Sequence, residues 1–365
     1  MSSAIAASAR WATAYDRPMQ AVHYSEFGGA IAVRDVPVPS VPADGAVIRV
    51  EATGLCRSDW HGWMGHDPDI QLPHVPGHEF AGIIETVGPS VTRWRPGARV
   101  TFPFIGACGS CRSCLVGDET VCDSQDQPGF NRWGSFAEFV AIARADINLI
   151  ALPDDLDSVT AAGLGCRFAT AYRAVMAQGR VREGEWVAVH GCGGVGLSAV
   201  MIAIAAGARV AAIDVSPIAL AAAAALGAEV QIDARSTDVA TAIDLATDGG
   251  VHLSIDALGS TETCLNSIAS LRRRGRHVQA GLMIGADARP PIPMDRVLSR
   301  ELELIGSHGM APHDYAEMLA RVADGRLRPD RLVGRTISLE AAPEALMAMS
   351  GPPTVAGMTV IRPAT

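Results

Sequence analysis

The chain has 365 residues, of which 48% are hydrophobic and 19% are charged, and its formal net charge is −9. At roughly 150 residues per domain this length predicts about two domains, and the apolar share is sufficient for their cores, which excludes a largely disordered protein. Nucleic acid and anionic membranes require a positive surface. We therefore expect neither as a partner, and small molecules are the default ligands.

Residues 1–18 are rich in alanine and serine and precede the first strand-like run, which begins at Met19. They contain three charged side chains and no unbroken apolar core, so they do not predict a signal peptide. We expect a disordered N-terminal extension. The alternative is that these residues are an artefact of the choice of translation start site.

Between residue 19 and about residue 150, short β-rich runs alternate with turns rich in proline and glycine, and no long helix is predicted. Beyond about residue 158, alanine-rich helical runs alternate with strands such as WVAVHG and RVAAIDV, the pattern of a parallel α/β sheet. The boundary is predicted near residue 168. The arginine-rich run at 271–276 is expected to end a helix, where cations complement the helix dipole.

A glycine-rich turn follows the strand-like run 187–189 and opens a stretch without charge, 191–208. The clustered glycines favour a strand, turn and helix over a membrane span. In this context the backbone N–H groups of the turn are expected to bind a dinucleotide pyrophosphate, whereas an isolated motif would indicate an ordinary turn. The turn matches the motif G-x-G-x-x-G, and its residues predicted to bind the cofactor are Gly191, Gly193, Gly194, Val195 and Gly196.

Asp214 closes the next strand, about 20 residues beyond the glycine turn, where a carboxylate can bind the ribose 2′-hydroxyl. The same carboxylate would repel a 2′-phosphate, and residues 215–220 contain no lysine or arginine. The pattern therefore favours NAD over NADP.

Eight cysteines are too few for a disulfide scaffold, and four of them lie on one short segment. Four thiolates so spaced can converge on a tetrahedral ion and leave no position for a substrate, which predicts a structural zinc site. Disulfides or free thiols are the alternative. The four residues are Cys108, Cys111, Cys114 and Cys122.

Cys56, His78 and Cys166 lie in three separate segments. Two cysteines and one histidine have the composition of an open catalytic zinc site with water as fourth ligand, although spacing alone does not bring them together. Cys192 and Cys264 are predicted to be small packing residues.

The run Gly77-His78-Glu79-x-x-Gly82, followed by Gly88, resembles the zinc signature of the medium-chain alcohol dehydrogenases. The four-cysteine segment, Cys166 and the glycine turn follow in the order of that family, and the resemblance covers the chain from Met19 onward. It implies an α/β protein with a GroES-like, β-rich catalytic domain and a Rossmann domain whose parallel sheet is doubly wound. The implied bounds are 19–167 for the catalytic domain with its zinc lobe at about 106–124, 168–308 for the NAD-binding domain, and 309–365 for a return to the catalytic domain.

The resemblance also implies roles for single residues. Cys56, His78 and Cys166 match ligands of the catalytic zinc, and Cys108, Cys111, Cys114 and Cys122 match ligands of the structural zinc. Ser58 and His61 match a proton relay through the nicotinamide ribose, and Asp59 and Glu79 match positions that support the ligands or bind the metal transiently. Gly191, Gly193, Gly194, Val195, Gly196 and Asp214 match the dinucleotide site.

Two departures from the family carry further expectations. Many relatives have a pyrophosphate-binding arginine where this chain reads 357–359 as Gly-Met-Thr, so Arg57 is expected to carry more of that contact. Trp60 and Trp63 are bulky beside the expected substrate channel, and either shape a pocket for alkyl or aromatic groups or simply pack.

The predicted function is that of a zinc-dependent oxidoreductase that transfers hydride between a primary or secondary alcohol, or its aldehyde or ketone, and NAD, with two zinc ions per chain. Polyol dehydrogenases of the superfamily typically have Glu in place of Cys166, which favours the alcohol dehydrogenases. The alternatives are a polyol or amino-alcohol dehydrogenase and a non-catalytic protein that binds NAD and zinc. We expect a cytoplasmic homotetramer or homodimer.

Overall fold

The computed structural model describes residues 18–363. The predicted N-terminal extension lies outside the described residues except for its last position. The strands are β1 (Met19–Tyr24), β2 (Ile31–Val36), β3 (Ala46–Leu55), β4 (Phe80–Val87), β5 (Arg99–Thr101), β6 (Phe139–Ile142), β7 (Ile150–Ala151), β8 (Trp186–His190), β9 (Arg209–Asp214), β10 (Val230–Asp233), β11 (Val251–Asp256), β12 (Leu271–Gln279), β13 (Glu303–Gly306), β14 (Val333–Ser338) and β15 (Met358–Arg362). The α-helices are α1 (Arg57–Trp63), α2 (Arg112–Leu115), α3 (Ala145–Asn148), α4 (Ser158–Ala162), α5 (Ala169–Tyr172), α6 (Gly194–Ala205), α7 (Pro217–Leu226), α8 (Val239–Thr247), α9 (Thr261–Ala269), α10 (Met294–Arg300), α11 (Tyr315–Ala323) and α12 (Ala342–Met347).

Two sheets organise the described residues. The first is a mixed sheet of order β14-β15-β3-β4-β5-β7, with β6 paired to β3, and a separate antiparallel pair, β1 and β2, joins the same part of the fold. The C-terminal strands β14 and β15 thus add to a sheet built from the first half of the chain, since β15 pairs antiparallel with β3. Helical turns over 158–178, two of them π-helical, connect this sheet to the second one.

The second sheet has six parallel strands in the order β10-β9-β8-β11-β12-β13. The strand order reverses between β8 and β11, and in doubly wound sheets of this kind ligands bind in the crevice at the carboxyl ends of those strands. Every residue of β8 is buried, as expected for a central strand covered by helices on both faces. The predicted fold class, a β-rich part combined with a doubly wound parallel sheet, is confirmed.

The uncharged stretch 191–208 forms a turn followed by α6, whose side chains pack into the core between the sheet and its neighbouring helices. Among residues 18–363, no helix is both long enough and apolar enough to cross a bilayer.

One local expectation agrees with the structure and one differs from it. The region in which no long helix was predicted contains α1, which has only seven residues; the Asp59 carboxylate caps it by accepting a hydrogen bond from the Cys56 N–H. The arginine-rich run belongs to β12 and does not end a helix, since α9 already ends at Ala269. Parallel pairing of β12 with β11 decides this, which is a tertiary interaction that charge alone does not reveal.

Candidate active site

Three segments bring metal-binding donors together. Cys56 precedes α1, His78 lies in the turn before β4, and Cys166 lies in the π-helical turn Leu164–Phe168. Their ligand atoms and one carboxylate oxygen of Glu79 all lie within 4.8 Å of one another. These four residues are buried, and His78 Nε2 has no hydrogen-bond partner in the described part of the chain. A buried, unpartnered nitrogen beside two thiols fits the predicted zinc ion.

Asp59 holds the histidine in the orientation that a metal site needs. Its Oδ1 atom accepts hydrogen bonds from His78 Nδ1 at 2.9 Å and from the Gly77 N–H at 3.1 Å, and its Oδ2 accepts from the Cys56 N–H at 2.9 Å. A proton on Nδ1 leaves the Nε2 lone pair free to bind a metal. One carboxylate therefore positions two of the three predicted ligands.

The electrostatics of the pocket favour a thiolate at Cys56. A hydrogen bond with Cys166 lowers the pKa of the Cys56 thiol well below its usual value, and His78 and Arg167 act in the same direction. Burial alone would raise that pKa, so the neighbouring donors outweigh the loss of water. Because the thiolate is the form of cysteine that binds metals, Cys56 is prepared as a ligand.

Glu79 is not free to move about the pocket, because Arg167 holds it in a buried ion pair in which the guanidinium Nε lies 2.8 Å from Glu79 Oε2. Sequence reasoning missed Arg167. It follows Cys166 directly, but no motif assigns a role to that position, and only the fold brings it to Glu79.

The predicted relay residues lie on α1. The Ser58 hydroxyl is 3.8 Å from Cys56 Sγ, and the half-buried His61 has its Nδ1 atom 3.0 Å from Nδ1 of His66. Between residues 18 and 363 no hydrogen bond joins Ser58 to His61, so a relay between them needs a bridging group such as the predicted ribose. His66 was given no role from the sequence; the turn after α1 brings it back to His61, whose carbonyl accepts from the His66 N–H at 3.0 Å.

The two tryptophans of α1 are held by polar contacts at their indole nitrogens. Trp60 donates to the Ser350 hydroxyl at 2.9 Å and Trp63 donates to the Gly29 carbonyl at 3.1 Å. Trp63 is only 7% exposed and belongs to a core cluster. Trp63 packs in the core, and Trp60 packs against the same cluster with part of its surface exposed. A role of either side chain in a substrate pocket stays a prediction.

A different apolar cluster contacts the metal-binding residues. Its members beside Cys166 are Ile70, Phe104, Ile105 and Phe130. The Phe130 ring centroid is 4.8 Å from that of His78, and the Phe104 centroid is 6.1 Å from it. These side chains come from three separate loops, and no sequence pattern connects them.

The glycine turn lies at the carboxyl end of β8. Gly191 has a φ of +89°, and a Cβ atom on Gly196 would lie 1.8 Å from the Gly191 carbonyl oxygen, so the turn requires glycine at both positions. Gly193 is exposed with open space beside it, and Val195 packs against the core. This open turn at a helix N-terminus fits the pyrophosphate of the predicted dinucleotide.

Asp214 and Arg57 are the other two residues predicted to bind the cofactor. The Asp214 carboxylate ends β9 and accepts hydrogen bonds from the Cys192 N–H at 2.6 Å and the Ser216 N–H at 2.8 Å, which fixes it beside the glycine turn. The Arg57 side chain donates to the Met349 carbonyl and lies 4.8 Å from the ring centroid of Trp60.

The four cysteines of the predicted lobe converge. Their Sγ atoms all lie within 4.8 Å of one another, with Cys111 and Cys114 closest at 3.4 Å. Backbone N–H groups point at the sulfurs, and those of Ser110 and Cys111 lower the pKa of Cys108 to about 5. All eight cysteines lie in the described part of the chain and none forms a disulfide, so the lobe matches the predicted structural zinc site and not the disulfide alternative.

Comparisons with known proteins agree with this geometry. Residues 42–154 match the family model "Alcohol dehydrogenase GroES-like domain", and residues 194–324 match "Zinc-binding dehydrogenase". An alcohol dehydrogenase of Geobacillus stearothermophilus is 35% identical over 312 residues, which cover 85% of this chain and 90% of that protein. The NAD-dependent alcohol dehydrogenase of Sulfurisphaera tokodaii is 33% identical over 339 residues, covering 90% and 95%.

Solved structures give the same result. Alcohol dehydrogenase TADH from Thermus sp. ATN1 superimposes with a TM-score of 0.85 at 32% identity, covering 94% of this chain and 99% of that one. A zinc-binding dehydrogenase from Sinorhizobium meliloti 1021, bound to NADP, has a TM-score of 0.84 at 30% identity, covering 95% and 99%. The chain therefore belongs to the zinc-dependent alcohol dehydrogenases of the medium-chain dehydrogenase/reductase superfamily, as its motifs predicted.

Proposed function

We propose that this protein is an enzyme that transfers hydride between NAD and a primary or secondary alcohol, or reduces the corresponding aldehyde or ketone. The observation that carries the proposal is the buried set of Cys56, His78 and Cys166, three donors beside a carboxylate, Glu79, that is already held by Arg167. Three protein ligands with an open fourth position are typical of catalytic zinc sites, whereas structural sites are closed.

Cys56, His78 and Cys166 would hold the catalytic zinc, and the bound ion would supply Lewis-acid stabilisation of negative charge on the substrate oxygen. Asp59 keeps His78 oriented toward that position. NAD would bind across the glycine turn, in the part of the chain predicted as residues 168–308, with Asp214 at its ribose.

Proton release would follow α1 to solvent. Ser58, beside Cys56, would accept the proton that leaves the substrate hydroxyl, and His61, farther along α1, would receive it, with the ribose of bound NAD as the group that would bridge the two side chains. His61 Nδ1 is in hydrogen-bond contact with His66 Nδ1, and His66 is exposed to water. In the reducing direction the same groups deliver a proton to the carbonyl oxygen.

Replacing His61 by glutamine is expected to slow alcohol oxidation most at low pH. Burial, with smaller contributions from His66 and Arg57, lowers the pKa of His61 to about 4, while the charge on Cys56 opposes the shift. His61 thus remains neutral, and able to accept a proton, until the pH falls toward that value. In His61→Gln this acceptor is lost and proton release depends more on hydroxide and buffer, so the rate should fall as the pH falls and should recover with added imidazole.

Steady-state pH profiles of the wild type, His61→Gln and His66→Gln test this path. His66→Gln should show a smaller defect of the same shape, because His61 can still pass its proton to water. A profile of His61→Gln that parallels the wild type would remove His61 from the path.

The apolar cluster of Ile70, Phe104, Ile105 and Phe130 supports alkyl or aromatic alcohols over polyols, whose hydroxyl groups would lack partners there. The decisive assay presents purified enzyme with NAD or NADP to short, long, cyclic, aromatic and polyhydroxy alcohols and follows nicotinamide absorbance. Preference for polyols would favour the polyol dehydrogenase alternative. Two zinc equivalents per chain without turnover on any alcohol, aldehyde or ketone would favour the non-catalytic alternative.

The cofactor choice depends on Asp214. Replacing it by alanine should lower kcat/KM for NAD by about tenfold to a hundredfold, the cost of losing a hydrogen bond to a charged group, while NADP should be affected less because the repulsion is also removed. Steady-state kinetics with each cofactor measure the ratio of kcat/KM for NAD to kcat/KM for NADP. Asp233→Ala is the matched control, since Asp233 ends the neighbouring strand in register with Asp214 and should leave both values unchanged. Equal losses for NAD and NADP would contradict a role for Asp214 in this choice.

We further propose a cytoplasmic homo-oligomer, either a dimer or a tetramer. The eight free thiols, seven of them in the two predicted zinc sites or the glycine turn, suit a reducing compartment. Strand β13 is at one edge of the parallel sheet, and the apolar side chains of Met294, Leu298 and Leu304 are exposed beside it. An unpaired strand edge next to exposed apolar groups favours association between copies.

A further inference from the structure

The Glu79 carboxylate is close enough to the predicted catalytic zinc site to serve as a fourth ligand. One of its carboxylate oxygens lies within 4.8 Å of the ligand atoms of Cys56, His78 and Cys166. Carboxylates bind zinc well, and four protein ligands would close the site to substrate. What holds the Glu79 oxygens therefore decides whether the fourth position stays open.

Arg167 engages both of those oxygens. Glu79 Oε1 accepts from the Arg167 backbone N–H at 2.6 Å and from Nε at 3.1 Å, and Oε2 accepts from Nε at 2.8 Å and from Nη2. The remaining guanidinium nitrogen, Nη1, donates to the Leu55 carbonyl at 3.0 Å. Arg167 is 6% exposed and Glu79 is fully buried, so water does not compete for these bonds.

The same arginine lies against the glycine turn. A Cβ atom on Gly194, the first residue of α6, would be 2.4 Å from Cδ of Arg167. A Cβ on Gly54 would be 2.3 Å from Oε2 of Glu79 and 2.6 Å from Nη2 of Arg167. Two glycines from different parts of the fold thus leave room for this ion pair, and one of them belongs to the dinucleotide motif.

We propose that Arg167 is a positioning residue that keeps Glu79 off the catalytic metal and ties the metal pocket to the dinucleotide-binding turn. The inference rests on the proposed function in that it takes Cys56, His78 and Cys166 as the ligands of a catalytic ion. With Glu79 held by Arg167, the fourth position stays available to substrate. The Arg167 side chain thus contacts both the metal pocket, through Glu79, and the dinucleotide-binding turn, at Gly194.

The test uses the full chain with cobalt(II) in place of zinc, because its visible absorption bands report on the ligands. Arg167→Met should shift these bands, as Glu79 is released to the metal, and should lower kcat/KM by about tenfold to a hundredfold. Adding Glu79→Gln to Arg167→Met should restore the wild-type bands. Arg276→Met is the matched control: it breaks another largely buried ion pair, with Glu185, and should leave the bands unchanged.

Unchanged bands in Arg167→Met, or altered bands that persist in the double variant, would overturn the proposal. If Arg167→Met does not fold, Glu79→Gln alone decides: bands like those of the wild type are expected, and a shift would mean that Glu79 already binds the metal. The spectra require no turnover. A protein with the expected spectra that oxidises no alcohol would refute the proposed function and not the position of Glu79.

Discussion

Replacing Cys56 by serine is expected to remove one of two zinc ions per chain and to lower kcat/KM by on the order of a thousandfold or more, because Lewis-acid catalysis contributes several kcal/mol. A serine hydroxyl does not replace a thiolate as a zinc ligand at neutral pH. The fold should survive, since Asp59 bonds the backbone N–H of residue 56 and not its side chain. Elemental analysis for zinc and NADH formation measure the two effects.

Cys264→Ser is the matched control. Cys264 is 3% exposed, close to the 6% of Cys56, but lies in α9 outside both cysteine clusters. It should keep two zinc ions and the wild-type kcat. Turnover retained by Cys56→Ser would contradict the ligand assignment, and loss of both zinc ions would indicate general unfolding instead.

The sequence alone could predict those sites whose residues are close together along the chain. The glycine turn and the four-cysteine lobe are local, so spacing alone limits what they can form. Cys56, His78 and Cys166 are far apart in sequence, and only the resemblance to a family predicted that they meet. The distances and orientations of these three side chains could be determined only from the folded structure.

Contacts between distant segments could not be predicted. Arg167 reaches Glu79 only because the helical turns after α4 pack against β4, and His66 reaches His61 only because the chain turns back after α1. The apolar cluster at Cys166 is assembled from loops without periodicity. A contact between distant segments also explains why the prediction for β12 was wrong. Its arginines are typical of the end of a helix, but parallel pairing with β11 places them in a strand.

Replacing Cys122 by serine is expected to remove the other zinc ion and to destabilise the lobe around it. This segment has little hydrophobic packing of its own: α2 has four residues, too few for a stable isolated helix, and Leu115, Val116 and Val121 are 73%, 70% and 57% exposed. Structural zinc binding contributes about 10–16 kcal/mol in small zinc-dependent domains. We therefore expect a fall in Tm of more than about 5 °C and rapid proteolysis within residues 108–122.

The catalytic ligands lie on other elements, so the undigested variant should keep a kcat within a few fold of the wild type at low temperature. Zinc analysis, thermal unfolding and limited proteolysis distinguish the effects at the two sites. Cys56→Ser should lose activity and keep a stable lobe, whereas Cys122→Ser should keep activity and lose the stability of the lobe. Ser113→Ala, in the same short helix, is the control and should change neither zinc content nor cleavage. Wild-type cleavage and two zinc ions in Cys122→Ser would show that the four thiols do not share a metal. Something other than a shared metal ion would then have to stabilise the lobe, because its apolar side chains are exposed and contacts between the four thiols alone are too weak to hold it.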